Sequence, residues 1–266
     1  MENEETGRGV PTRLTRERKI RLARATILVV IVLSVEYAAR AELVDVITLS
    51  APSAMAATAV DLLLSGAITG DVVATVGATS AAFFLAVSVG IPVGWAIWHW
   101  GTLQRILDPY LVTLYAMPVF VFYPMLIAIF GLNRIPIVLI AFVLGIVAIV
   151  INTANGFGQV KEVYGDVGRS MNLTPFQIFR HIYFPAAVPY IFTGLKLGFI
   201  YSLIGVIASE FILATEGLGY LVAYNYQNFA TDDMYAVMLL VVVIAIVTNA
   251  TLRSIEARLY QRSVTA

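Results

Sequence analysis

The sequence predicts an all-α fold, a polytopic membrane helix bundle of about six transmembrane helices. Of its 266 residues, 59% are hydrophobic and only 13% charged, and a mean hydropathy of +0.85 lies outside the range of soluble domains. Six apolar stretches each reach the roughly 20 residues that cross a bilayer as a helix. The basic residues also alternate by side along the chain, as the positive-inside rule requires. Backbone groups in hydrocarbon must be satisfied within one segment, and no stretch shows the alternation of a membrane barrel, so the spans are expected as helices. A formal net charge of zero offers no global basic surface for nucleic acid. The lack of cysteine excludes disulfides and Cys-ligated metals.

Residues 1–24 read as a cytoplasmic basic tail, with Arg8, Arg13, Arg16, Arg18, Lys19, Arg21 and Arg24 and no apolar periodicity. The first span runs from Ala25 to about Ile47. Ala39-Arg40-Ala41 has the form of a signal-peptidase site, but the long basic region and Glu36 within the apolar run argue for an uncleaved span. Glu36 and Arg40 are spaced for a helical ion pair at the outer boundary. Pro52-Ser53 and the Ala-rich run to Gly66 suggest a short helix on the outer surface. The remaining spans fall at about 72–98, 108–131, 134–156, 187–212 and 234–252. With the N-terminus inside, fourteen of the seventeen Lys and Arg residues lie on the inner side, which places both termini in the cytoplasm.

Some spans carry helix interrupters. The second has Gly90-Ile91-Pro92-Val93-Gly94, and the third has Pro118 and Pro124, where each missing amide invites a kink. The third span is also aromatic. Tyr115, Pro118, Phe122 and Tyr123 are candidates for a pathway wall, and ordinary packing with an aromatic belt accounts for them equally well. Lys196 and Glu210 are charges at membrane depth. Lys196 lies near enough to the inner end of its span to reach the boundary, and Glu210 suits either an outer gate or a boundary salt bridge. The segment from Ala214 to Asp233 carries Tyr220, Tyr224 and Tyr226, which fit an interfacial anchor.

Between the fourth and fifth spans the chain leaves the apolar register at about 159–185. A short helix is expected to stop at Asn172 in a left-handed turn. Thr174-Pro175-Phe176-Gln177 fits a capping box that opens a second helix, and Pro185 is expected to end that helix at Phe184. Phe176, Phe179 and Tyr183 then recur at helical spacing and suggest an aromatic ridge, either for docking a partner or for packing back on the bundle. No G-x-x-x-x-G-K-[ST] loop occurs, so no ATP cradle is expected in this chain. H-E-x-x-H and G-x-S-x-G are absent too, and His99 and His181 read as surface or interface residues. The chain therefore does not read as an enzyme.

The insert resembles the cytoplasmic signature of importer permeases of the ATP-binding cassette class. Asp166-Val167-Gly168, Asn172, Ile182 and Pro185 keep its spacing, with Asn172 where that family has Gly. The chain is similar to the nitrate/sulfonate/taurine branch from about Val35 to Arg258. Matching stretches include Pro52-Ser53, Gly90 to Gly94, Pro185 to Tyr190, Gly194-Leu195-Lys196 and Glu216-Gly217-Leu218-Gly219-Tyr220, and Ala78 departs from a common Arg. The resemblance implies a type I importer permease-like fold, with residues 25–266 as one permease domain in the cell inner membrane. It implies a second copy of the chain, two ATP-binding subunits that bring ATP and Mg, and an external solute-binding protein. It assigns coupling to the ATPase to Asp166, Gly168, Arg169, Asn172, Phe176, Phe179, Ile182 and Pro185, and binding-protein docking to Tyr220, Tyr224 and Tyr226. The implied cargo is a small organic solute or anion such as a sulfonate, taurine or nitrate, or an aromatic or vitamin-precursor solute. A transporter driven by an ion gradient is the alternative.

Overall fold

The computed structural model describes residues 13–45 and 48–264; the side chains of 13–17, Tyr115 and 257–264 lie outside the description. Residues 1–12 of the expected basic tail also lie outside it. Among the described residues the fold is all helical. The order is α1 (Arg13–Arg40), α2 (Pro52–Leu64), α3 (Thr69–His99), α4 (Gly101–Ala116), a 3-10 turn (Val119–Phe122), α5 (Tyr123–Phe130), α6 (Arg134–Gly158), α7 (Glu162–Ser170), α8 (Pro175–Ile178), a π turn (Phe179–Tyr183), α9 (Phe184–Leu213), α10 (Leu218–Gln227) and α11 (Thr231–Val264). Among the described residues, five helices are long and apolar enough to cross a membrane, and a sixth span is formed if the bent pair around Met117 counts as one.

The core is α3, α6 and α9. Lipid supplies no hydrophobic drive between helices, so close van der Waals packing through small residues must hold them together. On α3 the buried positions Ala74, Ala78, Ala82, Ala86, Gly90 and Gly94 recur every fourth residue and make one smooth face. A Cβ at Gly94 would fall 2.6 Å from Thr153 Cβ and 2.8 Å from the Val150 carbonyl oxygen of α6. The expected interruption at Gly90 to Gly94 is thereby corrected, because α3 passes unbroken through Pro92 and its glycines serve close approach. α9 meets α6 in the same manner, with a Cβ at Gly205 only 2.7 Å from Ala141 Cα. Tyr123, Val119 and Ile137 close this core at one end.

The third span is broken rather than kinked. Pro118 removes an amide and disfavours helical geometry at the residue before it, and Met117 is extended, with ψ 133°. The pair Gly101–Leu114 and Val119–Phe130 bends by 83°. Pro124 falls in the first turn of α5, where a missing N–H costs nothing.

A second layer is peripheral. α2 packs on α11 through Ala59, Ile68, Ala236 and Leu240. α1 begins within the basic segment and leaves Ile27 to Leu33 exposed. Its tie to α2 is polar: Glu36 pairs with Arg40 and accepts from Ser53 N at 3.0 Å and Ser53 Oγ at 2.7 Å. The carboxylate therefore caps the first turn of α2, which lacks a side-chain cap of its own.

Candidate functional site: the helical insert and the opposite end of the bundle

The insert forms because its local signals agree with one another. α7 ends in a Schellman turn: Leu173 N donates to Gly168 O at 3.1 Å and Asn172 N to Arg169 O at 3.0 Å. Asn172 takes the left-handed conformation that this motif requires, with φ +56°. Thr174 then opens α8 with a full capping box, its N donating to Gln177 Oε1 at 2.8 Å while Gln177 N donates to Thr174 Oγ1 at 3.3 Å. α7 lies against α8 and the π turn at two glycines. A Cβ on Gly168 would meet Ile178 and Ile182 at 3.0 Å, and one on Gly165 would meet the Tyr183 hydroxyl at 2.5 Å. Gly168 and Ile182 are thus the two halves of one contact. Asp166 and Arg169 form an exposed ion pair one turn apart, and that bond raises the Arg169 pKa above its ordinary value.

One expectation for the insert is corrected, and the two readings of its aromatic ridge divide between residues. Pro185 does not end a helix; α8, the π turn and α9 are one unbroken run from Pro175 to Leu213. Phe184 N donates to Phe179 O, five residues back, and this widened turn accommodates Pro185, which has no donor and whose ring would clash with a normal turn. The aromatic ridge is also split, because Phe179 and Tyr183 turn into the bundle. Phe179 packs on Phe157 and Trp95, with centroids 5.8 and 6.4 Å away, and Tyr183 lies 5.0 Å from Trp98. Phe176 alone stays outside, 67% exposed. Val163, Val167 and Met171, spaced every fourth residue along α7 and its end, are exposed too and make an apolar patch on one helix face. The sequence signal for this patch was available in that spacing.

At the opposite end of the bundle, two of the candidate pathway residues come together, with Tyr123 within electrostatic reach of Glu210. Tyr123 is 1% exposed in the core, Phe122 is exposed at 40%, Pro118 sits at the break, and the Tyr115 side chain lies outside the described residues. A cavity of about 70 Å³ beside Tyr123 is lined by Asn133, Arg134, Ala214, Thr215 and Glu216. Arg134 Nε donates to Glu216 Oε1 at 2.7 Å across it. Glu210 is buried and makes no salt bridge among the described residues; it accepts from Thr75 Oγ1 at 2.8 and 3.0 Å and from Gly219 N at 2.9 Å. The proposed boundary ion pair for Glu210 is therefore replaced by a hydrogen-bonded buried acid. Lys196 reaches Glu256 of α11 at 2.6 Å, a partner that sequence separation concealed. Tyr220, Tyr224 and Tyr226 lie on α10, a helix not anticipated from the sequence, with Tyr224 and Tyr226 exposed. Among the described residues, no cluster of His, Cys, Asp or Glu could hold a metal ion.

The family pattern described as "Binding-protein-dependent transport system inner membrane component" matches residues 86–264, which include the insert. The nitrate import permease protein NrtB of Synechocystis is 30% identical over 175 residues, 66% of this chain and 64% of that protein. The taurine transport system permease protein TauC of Escherichia coli is 29% identical over 178 residues, 67% of this chain and 65% of that protein. The bicarbonate transport system permease protein CmpB of Synechococcus elongatus is 30% identical over 158 residues, 59% of this chain and 57% of that protein. The chain thus spans about two thirds or less of the length of these relatives. Among solved structures, an inward-facing MetNI methionine ABC transporter has the same fold, with a TM-score of 0.61 at 20% identity, covering 72% of this chain and 95% of that one. By the extent of the match, this chain is a member of the family of binding-protein-dependent transport system inner membrane components.

Proposed function

We propose that this chain is the membrane-spanning permease subunit of an ATP-driven importer, working by alternating access, and that the insert at 159–185 receives the movement of an ATP-binding subunit. The observation that carries this reading is the insert itself: a two-helix element joined through a Schellman turn and a capping box, with an exposed apolar patch, continuous with the core helix α9. A patch of this kind on a formed helical surface fits a groove in a partner protein. Since α8 and α9 are one helix, a push on the patch acts directly on the α3–α6–α9 core as a rigid-body shift. Phe176, Gly168, Asn172, Ile182 and the Asp166–Arg169 pair are the coupling residues. Phe179 and Pro185 act indirectly, by anchoring the insert and shaping its junction with α9.

The complex would hold a second copy of this chain, two ATP-binding subunits carrying ATP and Mg, and an external solute-binding protein docking near Tyr220, Tyr224 and Tyr226. Both termini would be cytoplasmic, and the chain itself would carry no catalytic step. Its cargo would be a small solute of the class named for its relatives, nitrate, taurine or bicarbonate. The test is purification through a tag on this chain. Recovery of a nucleotide-binding subunit, with ATPase activity that disappears when the chain is isolated, supports the reading. ATP hydrolysis by the isolated chain contradicts it.

A further inference from the structure

Glu210 is fully enclosed, 2% exposed, and all of its hydrogen bonds serve one purpose. Gly219 N, from the start of α10, donates to its Oε2, and Thr75 Oγ1, from α3, donates to both oxygens. Thr75 in turn accepts from Leu218 N at 2.8 Å, and Asp71 accepts from Gly217 N at 2.7 Å. Three successive amides at the start of α10, each an orphan donor of a helix terminus, are thus satisfied by side chains of α3 and α9. The backbone closes tightly over the acid. Gly217 has φ +106°, and a Cβ there would fall 2.3 Å from Glu210 Cδ; one on Gly219 would fall 2.3 Å from the Ile207 carbonyl oxygen. Gly217 is required by the carboxylate beneath it, and Gly219 by the α9 backbone around Ile207 and Glu210.

We propose that Glu210 is a positioning residue that clamps α10 to the end of α9 opposite the insert, so that α10 moves with the insert as one body during transport. The unbroken run from Pro175 to Leu213 spans about 55–60 Å at ~1.5 Å per residue, with the insert and its apolar patch at one end and α10 at the other. Among the described residues, no salt bridge reaches Glu210, so its part is to accept hydrogen bonds rather than to meet a fixed cation. This inference rests on the importer reading for what moves the insert. The clamp itself rests on the geometry alone.

The chain has no native cysteine, so spin labels can be placed singly or in pairs. The probes are ATP, Mg and vanadate added to the assembled complex in lipid discs. A Val73→Cys/Gln227→Cys pair reads the seat of α10 on α3. Single Gln227→Cys and Ile204→Cys labels, measured between the two copies, read the movement of α10 and of α9. The expected result is a narrow Val73–Gln227 distance that broadens in Glu210→Ala, with loss of the nucleotide-driven shift at Gln227 and retention of that at Ile204. Glu210→Gln, which keeps an acceptor oxygen for Thr75 and Gly219, should behave as wild type. An unchanged Val73–Gln227 distance in Glu210→Ala overturns the clamp, as does loss of both shifts together, which marks general collapse. Loss of the Gln227 shift in Glu210→Gln with the distance intact also overturns it, because it assigns the role to the charge. If wild type shows no shift at either position, the importer reading fails, and the Val73–Gln227 distance still decides the clamp.

Discussion

Replacement of Asn172 isolates the turn on which the insert depends. The residue is exposed and left-handed, so a substitution there alters backbone preference without opening a cavity. An L-residue held in this conformation costs about 1–2 kcal/mol, which glycine avoids and asparagine partly offsets. If the chain escapes the strain, it loses the Leu173–Gly168 and Asn172–Arg169 hydrogen bonds, each of about 1 kcal/mol net. By either route Asn172→Val weakens the formed turn by about 2 kcal/mol, a shift of roughly thirtyfold in its population. Asn172→Ala should cost about 1 kcal/mol, and Asn172→Gly should stay within about 0.5 kcal/mol of wild type. The assay is titration of the ATP-binding subunit onto the permease in lipid discs, with nucleotide binding by that subunit as the control. The expected affinity order is Gly and Asn together, then Ala, then Val, with nucleotide binding unchanged. Equal affinity for Asn172→Val and Asn172→Gly refutes the dependence on this turn.

The split of the aromatic ridge predicts opposite outcomes for two similar mutations. Phe176→Ala should lower co-purification of the ATP-binding subunit and leave the thermal midpoint of the permease unchanged, while Phe179→Ala, which empties a site against Phe157 and Trp95, should destabilise by about 3 kcal/mol in a thermal melt. Gly205→Val should lower the melting temperature through overpacking of about 1–3 kcal/mol, because a Cβ already lies within contact of Ala141 Cα. At Lys196 and Glu256, roughly three-quarters buried, either single neutralisation should destabilise more than the double replacement Lys196→Met/Glu256→Leu. A double-mutant cycle measured by thermal unfolding checks this, and additive single effects would contradict it.

The parts of this fold that sequence revealed are those whose causes are local. The spans at 72–98, 134–156 and 187–212 were readable because apolar length is a local property, and α2 was marked by Pro52-Ser53 and its Ala-rich run. The turn at Asn172 and the capping box at Thr174 were readable because each is closed by residues within five positions of it. What failed was tertiary. Gly90 and Gly94 look like interrupters until Ile149 and Thr153 of α6 are seen against them. Phe179 and Phe176 share a helix face by period, yet only contact with α3 and α6 draws Phe179 inward. Pro185 reads as a stop, and the π turn that carries the helix past it has no signature in composition. Glu210 reads from sequence as an outer gate or a boundary salt bridge, because its actual partners Thr75 and Gly219 lie 135 and 9 residues away.

The most direct measurement is solute uptake into vesicles containing this chain, with taurine, nitrate and bicarbonate as cargo. Uptake should require ATP inside together with the ATP-binding subunits and an external binding protein, and should fall when Phe176 and Asn172 are replaced by Ala and Val. Uptake by the chain alone, driven by a proton or sodium gradient without ATP, would contradict the reading of the insert as the seat of an ATP-driven partner.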